Sequence, residues 1–166
     1  WIGCNAAEAY SKALGGQPVT VLNDADAAGY AEAKFGAARK QKGLTIVTTL
    51  GTGIGSALLF DGELIPNSEL GHIKIQGQDA EKLAAFSAKE RENLTWLQWA
   101  QRLQDYYSEL EALLVPDLFI VGGGVSKEYE EFLPLLKIKT KIVPASLKNA
   151  AGIIGAATLA YKASKK

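Results

Sequence analysis

The sequence predicts an α/β fold, because strand-like and helix-like segments alternate along the chain. Residues 44–50 (LTIVTTL) are rich in β-branched side chains, which favour strands. Residues 95–114 place apolar side chains three or four positions apart, the spacing of an amphipathic helix. Residues 117–121 (DLFIV) form a short apolar run typical of a buried strand. With 166 residues, 48% of them hydrophobic, we expect residues 1–166 to form a single domain with a substantial core.

The first elements are two predicted helices with a strand between them. Residues 6–14 (AAEAYSKAL) have helical composition and end at a pair of glycines, which commonly follow a helix. A proline then leads into the short apolar segment 19–22, which predicts a strand. Residues 24–38 are rich in Ala, Glu and Lys and predict the second helix, with Asn23 or Asp24 as its N-cap.

The middle of the chain predicts a glycine-rich hairpin. The strand at 44–50 runs into GTGIGS (residues 51–56), and a second strand-like segment follows at 57–60 before another turn. Residues 63–79 contain several turn formers, so we expect irregular structure there. Residues 81–92 predict a polar, exposed helix.

The helix at 95–114 has the clearest pattern in the sequence. Thr95 and Gln98 have the spacing of a capping box, and Pro116 ends the helix. Its apolar face, which we expect to pack in the core rather than form an interface, contains Trp96, Ala100, Leu103, Tyr107, Leu110 and Leu114.

The last third of the chain continues the alternation of strands and helices. The strand at 117–121 leads into GGGVS, and Ser126 is the predicted cap of a helix that continues to about residue 136. A short strand at 141–143 and a small-residue helix at 149–163 follow. We expect the apolar face of this helix to belong to the core as well.

Composition excludes several classes of function. Eighteen basic residues balance eighteen acidic ones, so the overall charge gives no sign of a nucleic-acid or anionic-membrane partner. Cys4 is the only cysteine, which rules out an internal disulfide and a cysteine-based metal cluster. No apolar run approaches the roughly 18–20 residues of a membrane span, and no signal-peptide pattern is present. We therefore expect a cytoplasmic protein.

Two glycine motifs each admit a structural and a functional interpretation. GTGIGS lies between two strands, so it fits neither a dinucleotide-binding fingerprint nor a Walker A loop. It is either a hairpin turn without a ligand or a turn whose backbone N–H groups and Thr52 cradle a phosphate. The glycines in FIVGGGVS (residues 119–126) either permit tight packing or let the backbone approach an anion. Two such loops on one domain favour the phosphate interpretation.

The segment VLNDADAAG (residues 21–29) places Asn23, Asp24 and Asp26 where an apolar run meets an alanine-rich helix. These side chains either cap the helix or supply a catalytic base at the end of the preceding segment. Asp26 cannot share a helical face with Asp24, and we expect it to interact favourably with the helix N-terminus.

These motifs stand in the order and spacing of the ROK sugar kinases. VLNDADAAG, GTGIGSALLFDGELIPNSELGH (residues 51–72) and PDLFIVGGGVS (residues 116–126) resemble that family and, within it, the polyphosphate glucokinase branch. The similarity extends over nearly the whole chain. It implies an actin-like, ribonuclease H-like ATPase fold, of which residues 1–166 are mostly the larger C-terminal domain.

The resemblance also implies roles for individual residues. Asp24 corresponds to the general base that takes the proton from the sugar 6-hydroxyl, a role that suits phosphoryl transfer. Asn23 is expected to hydrogen-bond sugar hydroxyls, together with Glu69, His72 and Asn67. The residues expected to hold the phosphoryl donor are Gly51, Thr52 and Gly53, with Gly122, Gly123 and Gly124 placed near the adenosine of ATP.

The chain departs from the family pattern in two places. Many ROK proteins carry a Cys-rich zinc loop after the Glu-Leu-Gly-His stretch, and its absence here predicts no structural zinc and favours the polyphosphate branch. The family's N-terminal glycine-rich phosphate loop is also missing. Because the chain begins at Trp1 and contains no Met, we expect it to be part of a longer protein. Because that phosphate loop is missing, we expect residues 1–166 to be inactive alone.

The resulting hypothesis is a glucokinase that uses polyphosphate, with ATP as a second donor, together with Mg²⁺. Two alternatives stay open: an ATP-dependent ROK kinase for another hexose or an N-acetylhexosamine, and the sugar-sensing domain of a ROK repressor. A homodimer is expected, as is common in the family. A basic track for polyphosphate is one interpretation of several lysines, and a solvated surface is the other. The track would include Lys137, Lys139, Lys141 and Lys148, with Lys34, Arg39, Lys40 and Lys42 adding to it.

Overall fold

A computed structural model describes residues 2–165, apart from the side chain of Asn149. The strands of this range are β1 (Leu44–Leu50), β2 (Ile54–Phe60), β3 (Glu63–Ile65), β4 (Lys74–Ile75), β5 (Gln78–Asp79), β6 (Leu118–Gly122) and β7 (Lys141–Pro144). Its α-helices are α1 (Ala6–Ala13), α2 (Asp24–Phe35), α3 (Ala80–Ala84), α4 (Phe86–Arg91), α5 (Trp96–Leu114) and α6 (Ala151–Ala163). Shorter 3₁₀ turns occur at Leu70–His72, Gly124–Glu131, Leu133–Leu135 and Lys148–Ala150.

A mixed five-stranded sheet with the order β3-β2-β1-β6-β7 forms the centre of the domain. β1 pairs antiparallel with β2 through a tight turn and parallel with β6, which in turn runs parallel to β7. The register aligns Thr49 with Gly122. Because parallel strands end at the same edge, the turn after β1 and the glycines after β6 come together there.

The two faces of the sheet contact different layers. Alternate residues of β6 point to opposite sides, as in any strand. Phe119 and Val121 join a cluster with the buried face of α5. Leu118 and Ile120 join a smaller cluster on the opposite side of the sheet. There α2 packs on β2, and α6 packs on α2. The prediction of an α/β domain is confirmed.

Helix α5 matches its prediction closely. The capping box of Thr95 and Gln98 is formed, and the helix ends at Leu114; its C-cap Val115, with a left-handed φ of 47°, lies just before Pro116. The apolar face is buried as expected at most positions, and it also includes Trp99 and Tyr106.

Small residues let α2 and α6 approach their neighbours closely. A Cβ on Gly29 of α2 would lie 2.6 Å from the Cβ of Ala57 in β2. A Cβ on Gly155 of α6 would lie 1.7 Å from the carbonyl oxygen of Ala27 in α2. The glycines at these two positions are therefore explained by close packing, Gly29 against the Ala57 side chain and Gly155 against the backbone of α2.

Several predicted elements differ from the structure. Residues 19–22 form no strand, because no neighbouring strand within residues 2–165 pairs with them. The predicted helix at 81–92 is two short helices that break at Ala85 and bury Ala80, Ala84 and Ala88. Ser126 does not cap an α-helix: its hydroxyl donates to the Gly123 carbonyl, and it lies within the 3₁₀ turn Gly124–Glu131, which a second 3₁₀ turn follows.

Across residues 2–165, no helix combines the length and apolar character that a membrane span requires.

Candidate active site

A cavity of about 370 Å³ opens at the edge of the sheet where β1 and β6 end. Five parts of the chain meet in it: the start of α2, the turn between β1 and β2, the segment around Glu69, the start of α3 and the glycine loop after β6. Its polar lining side chains are Asn23, Asp24, Thr49, Thr52, Glu69 and Glu81. The register of the sheet therefore assembles most of the residues predicted from separate motifs.

Asn23, rather than Asp24, caps helix α2. The Asn23 Oδ1 accepts hydrogen bonds from the backbone N–H groups of Ala25 (2.8 Å) and Asp26 (3.3 Å). Asp24 is the first helical residue and is exposed. Within the described part of the chain, no hydrogen bond or ion pair engages its carboxylate. The capping interpretation thus applies to Asn23, and the Asp24 carboxylate is available to a ligand in the cavity.

Glu69 lies directly beside this cap. Its Oε1 accepts a hydrogen bond of 3.4 Å from Asn23 Nδ2, across 46 positions of sequence. The following turn is held by Ser56 of β2, whose hydroxyl accepts from the Leu70 N–H at 2.9 Å. Two predicted sugar-binding side chains, Asn23 and Glu69, are therefore adjacent.

The Glu-Leu-Gly-His turn is pressed against the start of β2. A Cβ on Gly71 would lie only 2.2 Å from the carbonyl oxygen of Ile54, so this position requires glycine. His72 follows this turn; its side chain is 55% exposed, and it does not line the cavity. Asn67 is exposed and does not line the cavity, and its backbone adopts φ 64°.

Glu81 is a site residue that sequence reasoning missed. Its Oε1 lies 3.8 Å from His72 Nδ1, and its Oε2 accepts from the Ile54 N–H at 3.4 Å. The sequence assigns Glu81 to a polar helix, where nothing distinguishes it from other acidic residues. Its place depends on the approach of the Glu69–His72 segment and β2, which are distant in sequence.

The Gly51–Gly53 turn is anchored through its carbonyl groups. Ser87 donates its backbone N–H to the Gly51 carbonyl (3.0 Å) and its hydroxyl to the Thr52 carbonyl (2.6 Å). The Gly51 N–H donates to the Gly53 carbonyl at 3.0 Å. No hydrogen bond within residues 2–165 engages the exposed Thr52 hydroxyl. This turn can offer donors to an anion, as the phosphate interpretation requires.

The glycines after β6 lie against this turn. Gly123 adopts φ 84°, and a Cβ there would lie 2.2 Å from the Leu50 carbonyl oxygen. Gly122 is buried, whereas Gly124 faces open space. Gly123 lines the first cavity, and Gly124 lines a second one of about 420 Å³. Both the packing and the ligand interpretation of this motif are therefore compatible with its geometry.

The second cavity adjoins the first, since Leu50 and Gly51 line both. Its apolar wall includes Phe86 and Trp96, whose rings stack with centroids 6.2 Å apart. Lys89 Nζ lies 4.3 Å from the centroid of Trp96. A flat aromatic group could enter between this wall and the glycine loop.

The lysines of the predicted polyphosphate track are scattered. Lys141 pairs with Leu118, at the opposite end of β6 from Gly122, and Lys137 packs near Gln104 of α5. Lys139 lies between them, so these lysines are far from the glycine loops. Lys148 follows β7 beyond the glycine end of the sheet. Lys34 pairs with Glu63 at 3.2 Å, near the last turn of α2, and Arg39, Lys40 and Lys42 follow that helix.

Comparisons with known proteins identify the family of this chain. The profile of the ROK family matches residues 7–92, more than half of the chain. Polyphosphate glucokinases of Mycobacterium tuberculosis and Mycobacterium leprae are 49% and 46% identical over 157 residues. Both alignments cover 95% of this chain, but only 59% and 48% of the relatives' own lengths.

Solved structures show the same relationship. The inorganic polyphosphate/ATP-glucomannokinase of Arthrobacter sp. strain KM superposes with a TM-score of 0.91 at 53% identity, over 95% of this chain and 62% of that one. A ROK family glucokinase of Streptomyces griseus, in complex with glucose and AMPPNP, has a TM-score of 0.78 at 26% identity, over 94% and 72% of the two chains. The fold is thus the actin-like fold of the ROK sugar kinases, and the chain belongs to the ROK family.

Proposed function

We propose that the protein containing this chain transfers a phosphoryl group from inorganic polyphosphate, or from ATP, to the 6-hydroxyl of glucose. One observation carries the proposal: the unengaged Asp24 carboxylate shares a cavity with Glu69, Glu81 and the Gly51–Gly53 turn. Similarity to proteins named polyphosphate glucokinase and polyphosphate/ATP-glucomannokinase supports the choice of substrates.

The acceptor side of the cavity suits a sugar. The Glu69 and Glu81 carboxylates accept hydrogen bonds, and the Asn23 amide can donate as well as accept. His72, beside Glu81, can reach a hydroxyl at the rim. These groups would hold the glucose ring so that one hydroxyl lies against Asp24. Such fixed orientation supplies much of the rate enhancement of a transfer reaction.

Asp24 would then act as the general base. The sugar oxygen attacks the terminal phosphorus of the donor, a new P–O bond forms, and the hydroxyl proton passes to the Asp24 carboxylate. The bond between that phosphorus and the bridging oxygen of the donor breaks, so the donor leaves one phosphate shorter. Phosphoryl transfer asks the protein mainly for positioning and charge stabilisation.

The donor side would use both glycine loops. The backbone N–H groups of Thr52 and Gly53 and the Thr52 hydroxyl would bind phosphate oxygens. The adjoining cavity beside Gly124, walled by Phe86 and Trp96, would take the base of ATP, whereas polyphosphate has no group to place there. Lys148, beyond the glycine end of the sheet, is the member of the predicted track that this arrangement supports best.

Mg²⁺ fits the donor side as a metal carried mainly by phosphate oxygens. No group of three or more His, Cys, Asp or Glu side chains placed to hold a metal occurs between residues 2 and 165. Mg²⁺ in kinases is commonly bound by few side chains together with substrate phosphates and water. The Thr52 hydroxyl is the side-chain oxygen at the turn that could join them. When bound, the ion neutralises charge that develops on the transferred group.

The test is a coupled glucose 6-phosphate assay on the full-length protein, with polyphosphate or ATP as donor. Asp24→Asn should lower kcat by about 10²- to 10⁴-fold, the usual contribution of a general base. Asp105→Asn, an exposed substitution on α5, is the matched control and should leave kcat unchanged. Wild-type turnover with neither donor, or full activity of Asp24→Asn, would refute the proposal.

Two further expectations concern the whole protein. The 166-residue chain alone should show no turnover in the same assay, because relatives of this type are longer than the matched region. A homodimer is also expected, and light scattering during size-exclusion chromatography of the full-length protein would reveal it.

A further inference from the structure

Asp26 is a buried carboxylate to which the proposed reaction assigns no role. It lies in the first turn of α2 and is 1% exposed. Its Oδ2 accepts a hydrogen bond of 2.8 Å from the backbone N–H of Asn67, 41 positions away in sequence. Its Oδ1 is buried and has no partner in the part of the chain that the structure describes.

Helix capping does not explain this arrangement. The N–H groups of Ala25 and Asp26 already donate to the Asn23 side chain. A favourable interaction with the helix N-terminus would be available to an exposed carboxylate as well. Burying a carboxylate with one oxygen unpaired is costly, so we look for the role of Asp26 in its contact with Asn67.

The contact fixes the segment that leads to Glu69. Asn67 adopts φ 64°, which turns the chain sharply two residues before Glu69. Asp26 holds this segment from α2, while Ser56 of β2 holds it from the other side through the Leu70 N–H. The same end of α2 carries Asp24, so one short helix turn contacts both the catalytic and the sugar-binding parts of the cavity.

We propose that Asp26 is a positioning residue that sets the distance between the Glu69 segment and Asp24. The inference rests on the proposed function, since it concerns how that site binds its sugar. Loss of the Asp26 carboxylate would free the Asn67 turn and let Glu69 retreat from Asn23. The effect should fall on glucose and leave the phosphoryl donor unaffected, because the Gly51–Gly53 turn is anchored separately by Ser87.

Glu32 offers a matched control on the same helix. It is also a buried carboxylate, and it accepts hydrogen bonds from the backbone N–H groups of Ser146 (3.2 Å) and Leu147 (2.8 Å). Its substitution removes the same kind of interaction from α2, but from a segment that does not carry Glu69. A general loss of α2 stability should therefore lower the Tm of both the Asp26 and the Glu32 variants. A loss of sugar positioning should raise the glucose KM of the Asp26 variants only.

The experiment compares Asp26→Ala, Asp26→Asn and Glu32→Gln in the full-length protein, by glucose titration calorimetry and by steady-state kinetics. Asp26→Ala should raise the Kd and KM for glucose at least about tenfold, equivalent to about 1.4 kcal/mol, with the donor KM unchanged. Asp26→Asn keeps an acceptor oxygen and should recover part of the loss. Glu32→Gln should lower the Tm without changing the glucose KM.

The outcomes separate this inference from the proposed function. Wild-type protein that phosphorylates no glucose refutes the proposed function and this inference with it. Wild-type activity with an unchanged glucose KM in Asp26→Ala, or an equal rise in Glu32→Gln, overturns the inference alone. If Asp26→Ala does not fold, Asp26→Asn decides: a glucose KM raised about threefold or more supports positioning, and an unchanged KM overturns it.

Discussion

Gly71→Ala is the substitution whose effect can be worked out most directly from the structure. The new Cβ would lie 2.2 Å from the Ile54 carbonyl oxygen, whereas real Cβ contacts stay beyond 3.0 Å. The segment must therefore move away from β2 by about 0.8 Å, the difference between these two distances. The contacted atom belongs to the backbone of β2, so it cannot rotate away as the end of a flexible side chain could.

This displacement would move two residues of the proposed sugar site. Glu69 and His72 belong to the same turn, so the shift would move them relative to Asp24. A misplacement of about 1 Å can cost about 10²-fold in rate, so kcat/KM for glucose should fall by roughly 10- to 100-fold. Overpacking of this kind also costs about 1–3 kcal/mol of stability.

Gly152→Ala is the control, because no atom lies within 4 Å of its Cβ position in α6. It should keep full activity, with a Tm unchanged or slightly raised by the better helix propensity of alanine. The assay is kcat/KM for glucose at a temperature well below both melting transitions. Wild-type kcat/KM in folded Gly71→Ala would refute the reasoning, as would a loss of activity that only follows the unfolded fraction.

Two other predictions concern the donor cavity and the acid stability of the domain. Trp96→Leu should raise the KM for ATP by about 5- to 160-fold and leave the KM for polyphosphate unchanged, since base stacking on an aromatic ring contributes about 1–3 kcal/mol. Equal changes for both donors in initial-rate assays would contradict a base site at Trp96. Hydrogen bonds from Arg102 and Arg91 lower the pKa of Glu92 to about 2, from 4.5. Because the folded-state pKa is the lower one, the stabilisation is present above pH 4.5 and lost as the pH falls towards 2. The Tm difference between wild type and Glu92→Gln should therefore shrink over that range in thermal melts, and a constant difference would show that the ion pair contributes nothing.

The parts of the fold that sequence predicts well are those with local causes. Helix α5 follows from a capping box, an apolar repeat and a proline, all within 22 positions of one another. Strands β1 and β6 follow from β-branched and apolar runs. The predicted strand at 19–22 has the same local character, but a strand also needs a neighbour to pair with. That neighbour is a property of the whole sheet, so the segment alone could not reveal its absence.

The residues of the candidate site also fall into two groups, those that a local motif reveals and those that depend on contacts between separate segments. The glycine motifs and the Asn23-Asp24 pair are visible in the sequence as short local motifs, and backbone geometry demands the residue type at Gly71 and Gly123. Glu81, Ser87 and the contact of Asp26 with Asn67 are not visible, because each depends on the approach of segments far apart in the chain. Glu81 in particular has no neighbour in sequence that distinguishes it from Glu90 or Glu92. The resemblance to a family supplied roles for the motifs, and the structure added the residues that hold them in place.

The arrangement of the two cavities has a consequence for the proposed transfer. Leu50 is fully buried at the end of β1 and lines both cavities. Gly123 packs directly against its backbone, so the loop after β6 cannot move independently of β1. The Gly51–Gly53 turn continues from Leu50 and is fixed on its outer side by Ser87. The distance from the donor loops to β1 is therefore set by the rigid sheet.

The acceptor side differs, because its Glu69 segment is attached to the sheet and to α2 through individual hydrogen bonds. Variation in sugar preference should accordingly arise from changes in the Glu69 segment and its hydrogen bonds rather than in the glycine loops.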